Sequence, residues 1–279
     1  MTASAEDLKD FFEREPQLIL EDPDYPDVHR RLLAALERGE IRAAEPDQQG
    51  VWQVCAWVKQ AILYGFRSGR IERIQGNPAP FFDKDTYPIR WFSSRDHVRL
   101  VPGGSAVRRG AYVAPGVVIM PPAYINVGAY VGANSMIDSH ALVGSCAQIG
   151  SEVHVSAGAQ IGGVLEPAGA RPVIVEDQAF VGGLVGLFEG VRVRRRAVLA
   201  AGVVVTRATP ILDLVKDCEY RGEIPENAVV IAGSRPVTSN QSTIQAHINA
   251  AVIVKYRDQR TDAAVALEDA LRSQVPAGL

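Results

Sequence analysis

From Val107 to Ile161 every sixth residue is valine or isoleucine: Val107, Val113, Ile119, Ile125, Val131, Ile137, Val143, Ile149, Val155 and Ile161. Two positions before each of the last nine lies a small or short side chain: Ala111, Val117, Ala123, Ala129, Ser135, Ala141, Ala147, Val153 and Ala159. A period of six fits neither an amphipathic helix nor an alternating strand. It predicts a parallel β-helix, in which each aliphatic side chain points inward and stacks on its equivalent one coil away. Gly128, Gly132, Gly144, Gly150 and Gly162 are expected at corners where a side chain would strain the backbone. After Ile161 the phase slips. The stretch GGVLEPAGARP carries two residues more than the period allows, and the count resumes at Val175, Val181, Leu187, Val193, Leu199 and Val205. Such an insertion has no room inside a solenoid and is expected to protrude as a loop near residues 163–173. An interruption in so regular an element is where function is expected. The period leaves the hand of the coil open.

The flanks read differently. SAEDLKDFFERE predicts a helix with Ser4 as N-cap and acidic residues in its first turn. DVHRRLLAALERGE predicts a second helix, and VWQVCAWVKQAILYGFRSG a third, with Trp52, Cys55, Val58, Ala61, Ile62 and Phe66 on its apolar face. Trp52 and Trp57 read as core residues. Residues 71 to 100, with Pro78, Pro80 and Pro88, read as an irregular connector. Beyond the solenoid, VVIAGSRP is expected to close the last coil, AAVIVKY to form a strand, and TDAAVALEDALRS a short amphipathic helix. The expected division is an N-terminal helical domain and connector (1–100), the solenoid (101–235) and a C-terminal strand-and-helix cap (236–279).

Composition narrows the function classes. The chain has 279 residues, 47% hydrophobic and 22% charged, with 29 Lys+Arg against 32 Asp+Glu and a net charge of −3. That balance points to no nucleic-acid partner; the run Arg192, Arg194, Arg195, Arg196 reads as a solvated face, with phosphate contact the lesser alternative. There is no signal-peptide pattern and no apolar run long enough for a bilayer, so no membrane partner and a cytoplasmic location are expected. Cys55, Cys146 and Cys218 are odd in number and widely spaced, which suits neither a disulfide framework nor a metal site. The naked faces of a solenoid, rich in Val and Ala, need covering, so self-association is expected.

The run MIDSHALVGSCAQIGSEVHVSAGAQIGGVLEP, followed by VIVEDQAFVG, resembles the tetrahydrodipicolinate N-succinyltransferases of the diaminopimelate–lysine pathway. WVKQAILYGFR, FFDK at Phe81 to Lys84, MPPAYINVGAYV and the late AAVIVKY resemble the same family, so the likeness spans about residues 50 to 270. The resemblance implies a mainly β fold: a left-handed parallel β-helix with an N-terminal α-helical domain and a small C-terminal α/β cap. It implies a homotrimer with active sites between subunits, partly covered by the GGVLEP loop. It also implies an acyl-CoA co-substrate, succinyl-CoA or acetyl-CoA, no permanently bound cofactor, and no metal. The reaction implied is transfer of a succinyl or related short acyl group to the amine of tetrahydrodipicolinate in its open 2-amino-6-oxopimelate form, a small dicarboxylate acceptor.

Matched to the family's motifs, Asp138 is the catalytic and substrate-binding acid. It directly follows inward Ile137 and so sits at a corner, where it can face a cleft. Arg99 matches an arginine that holds a substrate carboxylate, as a guanidinium can bidentately; Arg108 is a further carboxylate candidate. CoA is expected near Gly162, Gly163 and Ala201, with Lys255 meeting its phosphates. The sequence departs from the family at its second acid. Where the family reads roughly Ala-Arg-Ser-Glu, two aliphatics and Glu-Gly, this chain has Gly183, Leu184, Val185, Gly186, Leu187, Phe188, Glu189 and Gly190. Gly186 thus stands at the catalytic Glu, and Glu189 at a Glu taken as structural. Pro210 replaces a usual basic residue, and His140 a frequent Trp. His140 is a candidate supporting acid–base group, whereas His154 reads as structural. General acid–base help is worth ~10²–10⁴-fold, and an apolar wall disfavours a carboxylate. Two alternatives therefore stand beside ordinary succinyl transfer. One is a divergent paralogue with a changed donor or acceptor in a specialised, tabtoxin-like pathway; the other is a non-catalytic binding or regulatory trimer. A carbonic anhydrase of the same fold would need three histidines, and the solenoid has only His140 and His154.

Overall fold

In the computed structural model, which describes residues 4–75, 79–237 and 244–258, every aliphatic member of the sixfold series is buried. Each forms a two-residue strand with the outward-facing residue before it, as in Met136–Ile137. The strands lie in three parallel sheets, visited in rotation. The first face runs through Tyr124–Ile125, Leu142–Val143, Gln160–Ile161, Gly186–Leu187 and Val204–Val205. The second runs through Tyr112–Val113, Tyr130–Val131, Gln148–Ile149, Ile174–Val175 and Arg192–Val193. The third runs through Arg99–Leu100, Val118–Ile119, Met136–Ile137, His154–Val155, Phe180–Val181 and Val198–Leu199. One coil is three sixfold periods, as Ile119 pairs Ile137 and Ile137 pairs Val155. The inward column and the small side chains beside it make one continuous apolar core. Stacking identical aliphatic positions brings their apolar surface out of water coil after coil.

Corner glycines act in two ways, only one of which matches the sequence expectation. At many corners the third residue after the inward aliphatic is left-handed: Gly128 has φ 74°, and Asn134, His140, Cys146 and Leu184 take the same conformation at φ 57°, 62°, 66° and 58°. Gly132, Gly144 and Gly150 follow the inward residue directly and do not have positive φ. A Cβ at Gly144 would lie 2.2 Å from Gly163 N, and one at Gly132 2.5 Å from the Gly150 carbonyl carbon. Close approach of successive coils, rather than dihedral strain, excludes a side chain there.

The interruption is larger than the phase slip alone implies. Ile149 pairs Val175, Val155 pairs Val181 and Ile161 pairs Leu187, so this coil takes four periods and the visible slip in place of three periods. The extra period is silent in the count, because a whole period leaves the phase unchanged. The excess leaves at the corner between the first and second faces, where residues 162–173 carry no strand. Lys59, fully buried, donates from Nζ to the carbonyls of Pro167 at 3.1 Å and Ala170 at 2.6 Å. The loop is thereby tied back to the helical region.

Among the described residues four α-helices precede the coil: α1 (Ala5–Phe12), α2 (Pro16–Leu20), α3 (Tyr25–Glu37) and α4 (Ala56–Ser68). Ser4 caps α1, accepting from Asp7 N while Asp7 accepts from Ser4 N. The expected third helix begins late. Trp52–Val54 is a strand paired with Ala44–Pro46, so Trp52 and Cys55 lie outside the helical face. The stretch expected to be irregular contains a hairpin, Ile71–Ile74 against Phe81–Lys84. After the last coil, Ala228–Val237 adds to the third face and pairs antiparallel with Ala246–Tyr256. The C-terminal helix expected from TDAAVALEDALRS lies outside the described residues. No described helix is long and apolar enough to cross a membrane.

Candidate active site

Asp138 occupies the corner between the third and first faces. Side chains alternate along a strand, so outward Met136, inward Ile137 and outward Asp138 follow in order. The backbone N–H of Asp138 donates to Val155 O at 2.9 Å in the next coil. Its Oδ1 accepts the Ser139 N–H at 2.8 Å, which fixes the carboxylate plane. Its Oδ2 lies 3.9 Å from His154 Nε2, and the Asp138 side chain is 23% exposed. His154 pairs with Met136 one coil away, is buried, and packs its ring 5.0 Å from that of Phe180. A histidine beside the acid is thus His154. His140 is exposed at the left-handed corner position. The signal was present in the sequence: His154 stands three sixfold periods, one full coil, beyond Met136.

Arg99 is exposed on the strand paired with Val118, which pairs in turn with Met136. It lies two strand spacings from Met136, roughly 10 Å, on the face that ends at Asp138. Arg108 is placed elsewhere. It forms an ion pair with Asp83, and its guanidinium lies 5.8 Å and 6.0 Å from the rings of Phe66 and Tyr87. That arrangement joins the hairpin and α4 to the first coil. The residues expected near CoA fall in three places. Gly162 and Gly163 lie where the loop leaves the corner between the first and second faces. Ala201 is exposed at the corner between the third and first faces, where Asp138 also sits. Lys255 is on the last strand, 3.4 Å from Asp258.

The space around Gly186 is filled. A Cβ there would lie 2.7 Å from Cε2 of Phe188, and a Cβ at Gly162 2.8 Å from its Cδ1. Phe188, standing where the family pattern has an aliphatic residue, therefore lays its ring across both glycines. The apolar wall expected from Leu184 and Val185 divides. Val185 is buried among the inward residues, and Leu184 is 72% exposed. Pro210 is buried at the start of the strand Pro210–Asp213.

The three thiols are free. Burial pushes Cys146 up to about 12 and Cys55 up to about 11, which favours the protonated thiol at both. Among the described residues no group of three His, Cys, Asp or Glu side chains gathers as a metal site.

A family model described as "Tetrahydrodipicolinate N-succinyltransferase N-terminal" matches residues 5–68, and one described as "Hexapeptide repeat of succinyl-transferase" matches residues 172–207. The 2,3,4,5-tetrahydropyridine-2,6-dicarboxylate N-succinyltransferase of Rhodopseudomonas palustris is 46% identical over 253 residues, covering 88% of this chain and 89% of that one. Its counterpart in Mesorhizobium japonicum is 47% identical over 255 residues, covering 88% of each. Protein TabB of Pseudomonas amygdali pv. tabaci is 46% identical over 274 residues, covering 95% of this chain and 97% of TabB. On the strength of this identity over most of its length, the chain belongs to the tetrahydrodipicolinate N-succinyltransferase family.

Proposed function

We propose that the protein is a CoA-dependent N-acyltransferase that moves a succinyl group onto the amine of tetrahydrodipicolinate in its open 2-amino-6-oxopimelate form. The observation that carries this reading is Asp138 at an outward corner, with Oδ1 anchored by a backbone N–H and Oδ2 turned toward His154. The acceptor amine must lose a proton to attack. Oδ2 takes that proton, the amine nitrogen bonds to the thioester carbonyl carbon, and the tetrahedral intermediate collapses by breaking the C–S bond. CoA leaves as the thiol once protonated. The site residues follow from this reading: Asp138 is the base, and Arg99 holds the acceptor's far carboxylate about one acceptor length away. Arg108 serves the fold through Asp83 rather than the substrate. Ala201 is the favoured CoA contact, since it shares the corner with Asp138; Gly162, Gly163 and Lys255 are assigned to other parts of the donor's path. The assembly proposed is a left-handed coil packed as a homotrimer in the cytoplasm, with succinyl-CoA as donor. The parts divide near residues 100 and 235. A thiol-release assay with succinyl-CoA and tetrahydrodipicolinate tests the reading; no turnover with any acyl-CoA and acceptor pair would overturn it.

A second reading is favoured by one specific feature. Phe188 lies across Gly186, where the family pattern places a catalytic Glu, and TabB resembles this chain over nearly its whole length. These support a paralogue that uses a different acyl donor or acceptor. Release of CoA that is faster with another short acyl-CoA than with succinyl-CoA would select it.

A further inference from the structure

Outside the proposed active site, the strand pair at the N-terminus covers part of the second face and borders an open cleft of about 360 Å³. That volume is at the lower end of small-molecule sites. Its walls include Arg42, Trp52, Tyr130, Glu176, Asp177 and Arg195. Arg42 takes an unusual place. Its guanidinium lies 3.6 Å from the centroid of the Tyr130 ring, and its Nε donates to Gln148 Oε1 at 3.0 Å. Burial lowers its pKa, which marks a partly desolvated cation. Arg195 donates to Gln178 Oε1 at 3.2 Å. Among the described residues neither guanidinium has a carboxylate within ion-pair distance. Glu176 accepts from Trp52 Nε1 at 2.9 Å and from Arg195 N at 3.0 Å, and it pairs with Arg192. Asp177 accepts the Ser151 N–H at 2.8 Å through Oδ1 alone, and it is exposed at the cleft.

From this juxtaposition we infer that the cleft between the Ala44–Pro46/Trp52–Val54 pair and the second face is a binding site for a small zwitterion carrying a carboxylate and a primary ammonium. The carboxylate meets Arg42 and Arg195, and the ammonium meets Asp177 Oδ2. The aliphatic part lies along the indole of Trp52. The placement of the charges points to the ligand class. Arg192 is already paired with Glu176, which leaves Arg42 and Arg195 facing Asp177, so a zwitterion finds a partner for each end, whereas a phosphate dianion has nothing to offer the Asp177 carboxylate. Burying a guanidinium against an aromatic ring is costly; the charges of Glu45 and Asp177 offset part of that cost at Arg42, and a bound carboxylate in contact offsets more. The basic run of the sequence thereby gains a role for Arg195, as an anion contact in a mixed-charge site.

The test uses the full chain labelled with 5-fluorotryptophan, which gives three ¹⁹F signals, that of Trp52 being assigned with W52F. L-norleucine, hexanoate, hexylamine and inorganic phosphate are titrated separately. The expected result is a saturable shift of the Trp52 signal by L-norleucine, with affinity at least about tenfold above hexanoate and hexylamine. R42Q and R195Q weaken L-norleucine by about tenfold or more, and D177N removes its advantage over hexanoate. D138N leaves the titration unchanged, which separates this cleft from the proposed active site. A saturable shift by phosphate that exceeds that of L-norleucine overturns the zwitterion assignment. No saturable shift, or one of equal affinity in R195Q and D177N, overturns the site itself; these two exposed positions keep the test sound should R42Q disturb packing.

Discussion

Asp138 and His154 illustrate how single side chains acquire a task from their coil neighbours. Replacing Asp138 with Asn removes the proposed base, so kcat/KM for thiol release is expected to fall by ~10²–10⁴-fold with little change in Tm. A fall below tenfold would assign proton removal to another group. His29 makes a prediction of a different kind. Tyr87 donates its hydroxyl proton to Ile62 O at 2.6 Å, so the 3.2 Å contact from His29 Nε2 to that hydroxyl is a donation by a neutral imidazole. Burial lowers the His29 pKa from 6.5 to about 4. The unfolded chain therefore binds the extra proton between those two values. Stability is fully present above about pH 6.5 and declines by about 3 kcal/mol as pH falls to about 4. In urea titrations across that range, His29→Gln should flatten this part of the pH dependence.

At the scale of elements, the coil and its interruption respond differently to change. Ile137 is completely buried in the inward column, and Ile137→Ala should lower unfolding free energy by about 2–5 kcal/mol. The Gly186–Phe188 pair is a matched substitution on one face. G186E alone places a Cβ against the Phe188 ring and should lower Tm, whereas G186E with F188V should regain most of the loss. Equal Tm for the single and double variants would mean that the ring moves aside at no cost. The loop depends on α4. Lys59→Met leaves the carbonyls of Pro167 and Ala170 without their donor, and hydrogen exchange across residues 162–173 should accelerate while the flanking coils stay protected.

For the whole molecule, the three faces of the coil are not equivalent. The second is partly covered by the N-terminal strand pair, and the third is extended by the C-terminal hairpin. The first face presents Tyr124, Leu142 and Val204 in the outward column, with Tyr124 and Val204 exposed. Covering such a face by a second copy is the expected solution. Sedimentation equilibrium should give roughly three times the chain mass of 30.1 kDa if the proposed trimer forms. Val204→Arg, a charge on that face, should shift the mass toward one chain.

The sixfold aliphatic series was enough, by itself, to establish the coil, because a residue that must point inward once per strand leaves its mark at a fixed spacing. Ser4 as a cap was legible for the same reason: its bonds are local. The motif match singled out Asp138, Arg99 and Gly186 in the sequence. What lies beside them did not follow, since a neighbour across coils is three periods along the chain, and further where the loop intervenes. Only the folded chain decided that His154 stands by Asp138, that Phe188 fills the place beside Gly186, and that Arg108 pairs with Asp83. The helical face expected of Trp52 failed because pairing with Ala44–Pro46 and a hydrogen bond to Glu176 outweighed its helical spacing. Local pattern specifies which residues turn inward; contacts between distant parts of the chain specify what each outward residue meets.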